Sequence, residues 1–476
     1  MLRRMICLLL AAVVFLSFGG TAYAAVTEAT PSQTVLATGL TVIVSCLFII
    51  FSVMLTMRTP AVSDGGRGWP VFVMAAALAV AFRLFIAAAH PGYAIDMGCF
   101  KAWAHGVYEH GPAGFYENIS FCDYPPGYMY ILWILGFIRS VFSVDYNSAL
   151  FTAMIKLPAI ISEVVMAAFV YKIASREWGK MFAVMCASLL LFNPALFLNS
   201  SVWGQIDAVF TLFMVFSLYY LKKESYLAGA FFFAVGLLIK PQAIMFLPVV
   251  GLAYLYALFK RGGLKKAVTG TAGALAIGAA VIFLGSLPFT GNQPTLWIVD
   301  RYASTMGSYP YGTLNAFNLF ALLGGNWKPY EETAFILDFK TWGMIFLIVI
   351  CVAVVIVQWR SRDRRPYFDI SAFLIISLFM LMHMVHERYI VPACVLLVFA
   401  YAYSRDLSTL IFTVLWSAAA LLNQMVVLYA ESSYAPGTAL MALSAVNIVL
   451  YIVYALITVR KLYSGKVLIK SPAMLG

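Results

Sequence analysis

Apolar runs of roughly 20 residues recur along the whole of this chain, each long enough to cross a hydrocarbon core of ~30 Å at 1.5 Å per residue. Backbone that faces lipid must satisfy its own hydrogen bonds, and within a single segment only a helix does so. With 63% hydrophobic and 11% charged residues in 476, the sequence predicts an all-α polytopic membrane protein. No internal repeat, low-complexity tract or soluble domain is visible, so residues 25–476 are read as one membrane domain.

The net charge of +11 is a topology signal. Positive residues cluster in short loops: Lys172/Arg176/Lys180, Lys222/Lys223, Lys260/Arg261/Lys265/Lys266, Arg360/Arg362/Arg364/Arg365 and Arg460/Lys461/Lys466/Lys470. Such loops are cytoplasmic under the positive-inside rule. The intervening loops carry the acids. This distribution argues against a nucleic-acid partner. At the N-terminus, Arg3 and Arg4 precede an apolar run at 5–18, followed by Ala22-Tyr23-Ala24. That layout predicts a signal peptide or signal anchor over 1–24.

The topology then closes with about thirteen crossings, at 35–57, 70–89, 152–173, 181–199, 205–221, 226–240, 243–259, 267–287, 339–358, 368–384, 389–404, 409–428 and 438–459. The apolar stretch 128–144 resists. Counted as a crossing, it would place Lys172, Arg176 and Lys180 outside, against the charge rule. It is therefore expected to be an interfacial or re-entrant helix. The first external loop runs over about 90–151 and the second over about 288–339, in a cell-membrane protein.

Polar residues collect at the external boundaries. Asp96 lies just past an apolar run, where a carboxylate can act as a general base or be a solvated loop acid. Asp123-Tyr124-Pro125-Pro126 is a rigid turn that starts a helix sharply, and Tyr124 would line the edge of a cleft. Cys99 and Cys122 share this loop. They are either two thiols or a disulfide tying Asp96 to the Asp123 turn, a closure worth ~3 kcal/mol.

Further on, Trp203, Gln205 and Asp207 open a span after Asn193-Pro194 ends another. Gln205 and Asp207 would hold sugar hydroxyls or a metal, unless Asp207 only caps its helix. Lys156, Lys240, Arg301, His383, His386 and Arg388 are boundary cations, which at such depth pair or function. For Lys156, pairing with Glu163 two turns on is the structural alternative to a functional role. His386-Glu387-Arg388 interrupts two apolar runs, and cations there suit an anionic lipid headgroup, phosphate foremost. There is no HExxH, no CxxC pair and no Asp-x-Asp, so no cofactor is expected, and a metal would need ligands assembled from distant loops.

Taken in order, these motifs resemble the GT-C superfamily of polyprenyl-phosphate-sugar-dependent glycosyltransferases. They are the loop Asp96, the Asp123-Tyr124-Pro125-Pro126 turn, Lys156 with Glu163, and Asn193-Pro194 before Trp203–Asp207. Lys240-Pro241-Gln242, Asn315-Ala316-Phe317-Asn318 and His386-Glu387-Arg388 follow. The likeness covers about 83–392 and is nearest to the eukaryotic dolichyl-phosphate-glucose glucosyltransferases and their bacterial relatives. It departs from them at Asp207, and at Arg388, where they usually carry Lys.

The resemblance implies a GT-C-like bundle, a polyprenyl-phosphate-linked sugar donor in the membrane lipid, and catalysis on the extracytoplasmic face. The acceptor would be a glycan, glycolipid or protein. Asp96 maps onto the catalytic base, and His386 onto the residue that meets the donor phosphate. Arg301 maps onto a basic residue of the second loop; Gln242 and Glu387 fall within matched motifs. The implied reaction moves a hexose, mannose or glucose, by a single inverting displacement. Rival readings are a flippase or transporter of lipid-linked sugars, and a surface-polysaccharide polymerase or ligase.

Overall fold

The computed structural model describes residues 29–56, 68–260, 264–430 and 437–465. The signal segment 1–24 lies outside the described residues. Each of the thirteen expected spans coincides with a helix or with consecutive helical segments. They are α1 (Pro31–Thr56), α2 (Gly68–Ala89), α5 (Ala149–Trp178), α6 (Lys180–Leu191), which leads into α7 (Pro194–Phe197), α8 (Asp207–Lys222) and α9 (Tyr226–Ile239). The series continues with α10 (Leu247–Lys260), α11 (Leu264–Ser286), α14 (Phe339–Arg360), α15 (Tyr367–Leu381), α16 (Val391–Ser404), α17 (Leu407–Leu428) and α18 (Gly437–Ser464).

Eight of the described helices are long and apolar enough to cross a membrane. The others are short for a physical reason. Helix α9 stops where Pro241 follows Lys240, α15 stops before the 383–389 loop, and α16 starts only at Val391-Pro392. Helices of 14–16 residues span only ~21–24 Å at 1.5 Å per residue, short of the ~30 Å core. Irregular backbone at membrane depth is tolerated where it is buried in protein, and residues 198–203, at the end of the Lys180–Trp203 span, are entirely buried.

The first long loop is helical, as expected. It holds α3 (Ala94–Asn118) and α4 (Pro126–Val141), which pack against each other. Helix α4 starts with Pro126 in its first turn. It packs Tyr128, Met129 and Leu132 inward while Trp133, Ile134 and Phe137 stay exposed. That one-sided apolar exposure matches an interfacial helix. The second long loop holds α12 (Trp297–Gly307), α13 (Leu319–Leu322) and a small hairpin, Thr333–Ala334 with Leu337–Asp338.

Two alternatives that the sequence left open are decided here. Cys99 and Cys122 are both free thiols, and Cys122 Sγ instead donates to the Tyr124 carbonyl at 3.6 Å. Other groups pin the 122–124 turn by its carbonyls. Arg301 donates to Cys122 O at 2.8 Å, Thr305 Oγ1 to Asp123 O at 3.0 Å and Tyr116 OH to Tyr124 O at 2.9 Å. The clasp thus comes from α12 and α3.

The second concerns Lys156, which does not pair with Glu163. Its ammonium donates to the carbonyls of Ala87, His90, Ser201 and Val202 at 2.7–3.4 Å. Glu163 pairs with Arg83 at 2.7 Å, both fully buried. Residues two turns apart share a helix face, but here neighbouring helices supply better partners to each.

Candidate active site

The site is assembled around a break in one helix. Asn193 caps α7 by accepting from the amides of Ala195 and Leu196. The chain then widens into a π-helical turn over Leu198–Trp203, where Gly204 and Gln205 both donate to Asn199 O. Single π-turns recur at functional sites because they push one side chain out of helical register. The turn ends at Gly204, with φ +93°. That left-handed backbone favours glycine, and a Cβ there would also press on the Met97 side chain.

This brings Trp203 against the start of α3. Tyr93 donates its amide to Trp203 O at 2.9 Å and stacks on the indole, ring centroids 4.5 Å apart. Asp96, in the first turn of α3, is aimed by Trp203 Nε1, which donates to Oδ2 at 2.6 Å. Arg388 Nη2 lies 3.9 Å from Oδ1. The Asp96 side chain is 17% exposed, so it is held on one side and open on another.

The 383–389 loop supplies the cations. It is held by backbone bonds from the second long loop: Met384 N–H donates to Tyr311 O, and Leu314 N–H to Val385 O. Residues 315–318 are tied in turn to α17 and α18. Asn423 donates to Asn315 O and accepts from Phe317 N, and Asn447 donates to Phe317 O. Arg388 donates to Glu387 Oε1 at 2.6 Å, and His386 Nδ1 lies 3.8 Å from Oε2. Burial opposes ionisation of Glu387, but Arg388 and His386 outweigh it and hold the carboxyl down at about 2. The chain therefore presents an anchored guanidinium beside Asp96.

Behind this layer is a second, fully buried ion pair. Lys240 Nζ contacts Asp207 Oδ1 at 2.6 Å and Gln205 Oε1 at 3.4 Å. Asn199 donates to Asp207 Oδ2 at 3.1 Å. Asp207 therefore does not cap α8; both its oxygens are engaged from elsewhere. Tyr124 OH meets Gln205 Oε1 at 3.5 Å, and the Lys240 ammonium lies 5.5 Å from the Tyr124 ring centre. Gln242 donates to Tyr389 OH at 2.8 Å, beside His386.

The structure gathers Asp96, Tyr124, Trp203, Gln205, Asp207, Lys240, Gln242, His386, Glu387 and Arg388 at one end of the bundle. Arg301 is set apart from them. Its guanidinium is spent on Cys122 O and on the Tyr116 ring, 4.6 Å away. The sequence reading missed Asn199 and Tyr309. Tyr309 OH donates to Asp123 Oδ2 at 3.4 Å, and its ring meets His386 edge-on at 5.0 Å. Burial first, and then Asp96, push the Asp123 carboxyl above the usual range. Tyr309 sits among many loop tyrosines, and no local pattern marked it.

Chemically, the site brings the partly exposed Asp96 carboxylate together with a guanidinium, a buried ammonium and an imidazole, beside Trp203 and Tyr124. That set suits removal of a proton from a hydroxyl and neutralisation of a departing phosphate. The fold is that of an all-α, multi-pass membrane protein. Residues 123–286 match the family profile of dolichyl-phosphate-mannose-protein mannosyltransferases. That match supports a membrane glycosyltransferase that uses a polyprenyl-phosphate sugar and an acceptor. No curated protein matches the chain.

Proposed function

We propose that this protein transfers a hexose from a polyprenyl-phosphate sugar to an acceptor hydroxyl on the extracytoplasmic side of the cell membrane. The observation that carries the reading is the grip on Asp96. One carboxylate oxygen is fixed by Trp203, the other faces Arg388, and the side chain stays partly exposed.

The polyprenyl phosphate is already a good leaving group, so no strong general acid is required. The acceptor hydroxyl does need a base, which Asp96 supplies, a contribution of typically ~10²–10⁴-fold. Arg388 and His386 face the donor phosphate as negative charge grows on it, with Lys240 behind them. Attack opposite the leaving phosphate inverts the anomeric carbon in a single displacement. Tyr124, Trp203, Gln205 and Gln242 shape the sugar pocket. Asp207 and Glu387 hold Lys240 and Arg388 in place. Arg301 acts at one remove, by holding the turn that carries Tyr124. Because protein cations supply the charge, no metal cofactor is required.

Mannose is the first sugar to test, given the matched family, with glucose second. Proteoliposomes supplied with labelled polyprenyl-phosphate mannose or glucose, and with glycan, glycolipid or peptide acceptors, separate the alternatives. Label on an acceptor supports transfer. Movement of the donor across the bilayer without transfer identifies a flippase, and processive growth of a chain identifies a polymerase.

A further inference from the structure

A second charged cavity lies at the other end of the bundle. Helix α8 runs from Asp207 in the site to Lys222, and α15 runs from Tyr367 to Leu381, just before the His386 loop. Helices of 15–16 residues place their two ends ~22–24 Å apart. Between Lys222, Pro366 and the end of α18 lies a cavity of about 260 Å³, lined by Lys222, Arg364, Arg365, Lys461, Asp369 and Asp406 among others.

The charges in it are not balanced. Lys461 is paired with Asp369, donates to Thr409 Oγ1 at 2.6 Å and lies 3.9 Å from Asp406 Oδ2. Arg365 pairs with Glu224. Lys222 and Arg364 reach only neutral acceptors: Lys222 Nζ donates to the carbonyls of Arg364 and Arg365 at 3.3 and 3.2 Å, and Arg364 Nη2 to Leu462 O at 2.6 Å. Among the described residues neither has a carboxylate at ion-pair distance. These bonds fix both cations at the cavity wall without neutralising them. At the same cavity, the fully buried Asp406 carries an Oδ2 with no hydrogen-bond partner.

We infer that this cavity is a binding site for a phosphate ester that carries a hydrogen-bond donor beside the phosphate, as a glycerol phosphate headgroup does. Lys222 and Arg364 meet the phosphate oxygens, the usual task of such cations, and the neighbouring hydroxyl reaches Asp406. The volume is below the ~300–1,000 Å³ of pockets for drug-sized ligands, which suits a headgroup better than a nucleotide. Basic pockets between helices hold lipid headgroups on the cytoplasmic side. The inference does not depend on the chemistry at the Asp96 end.

The test uses the purified full-length protein in detergent. Bound phosphatidylglycerol is counted by native mass spectrometry and titrated by thermal shift, beside phosphatidylcholine and soluble glycerol phosphate. The expected result is one retained phosphatidylglycerol with saturable stabilisation, at least ten-fold weaker in Lys222→Gln/Arg364→Gln. The milder Arg364→Gln serves if the double variant fails to fold. Arg362→Gln, at a residue bonded to Trp359 O and not lining the cavity, binds as wild type does. Saturation by glycerol phosphate alone, with the same variant dependence, identifies a soluble ligand of the same chemistry. Equal binding of phosphatidylcholine, or undiminished binding by the folded variants, overturns the inference.

Discussion

The indole N–H of Trp203 donates to Oδ2 of Asp96 at 2.6 Å across 107 residues of chain. The contact depends on two tight approaches. A Cβ at Gly204 would meet Met97, and one at Gly92 would lie 2.8 Å from Trp203 O. Both glycines have positive φ, so the backbone there is specialised to bring one aromatic residue onto one carboxylate.

Trp203→Phe keeps the aromatic stack on Tyr93 and removes the donor. The expected outcome is kcat reduced by roughly ten-fold, in the range of a lost charge-assisted hydrogen bond of ~1.5 kcal/mol, with KM for the donor little changed. Steady-state kinetics in proteoliposomes read the split. A rise in KM with kcat intact would make Trp203 a sugar contact only, with no part in positioning Asp96.

Arg388 bridges Glu387 and Asp96. Arg388→Gln is expected to raise donor KM and lower kcat together, because the phosphate loses its nearest cation. Arg388→Lys keeps the charge and loses the planar fork, so it should recover part of both. Donor titrations of the two variants check this ordering.

The buried pair Lys240–Asp207 supports a stability prediction. Removing one partner leaves an uncompensated buried charge, at a cost of ~3–5 kcal/mol. Lys240→Met and Asp207→Asn should each lower the melting temperature sharply. The double variant should be less destabilised than the sum of the two. Thermal melts in detergent measure the coupling, and simple additivity would show that the pair does not act as a unit.

The pH prediction comes from Glu387, whose carboxyl is held at about 2 in the folded protein. A depressed folded value means stabilisation that is present above the unfolded value of ~4.3 and lost as pH falls towards 2. The wild type should therefore lose thermal stability between about pH 4.3 and 2. Glu387→Gln should start lower at neutral pH and lack that component of the fall. Asp123 has the opposite sign. Burial raises its carboxyl, so Asp123→Asn should be neutral or stabilising at pH 7.

The helices were legible because a membrane forces apolarity and helicity on each span, and eight are long and apolar enough to cross. The 128–144 stretch was set apart by charge, since a crossing there would place Lys172, Arg176 and Lys180 outside, and α4 is a short helix with an exposed apolar side. Interactions between distant segments were not legible. Nothing near Lys156 announces the carbonyls of Ala87, His90, Ser201 and Val202, which come from α2 and the π-turn. Two cysteines in one loop suggested a clasp, but Arg301, 179 residues from Cys122, closes the turn instead. Asp207 was visible as an acid at a helix start, while its partner Lys240 required the fold.

The central claim is that Asp96 removes the acceptor proton. The most direct measurement is single-turnover transfer from labelled polyprenyl-phosphate sugar by Asp96→Asn in proteoliposomes, with donor binding and correct insertion verified in parallel. The account predicts donor binding close to wild type and a transfer rate lower by ~10²–10⁴-fold. Near-normal transfer by the correctly inserted variant would contradict it.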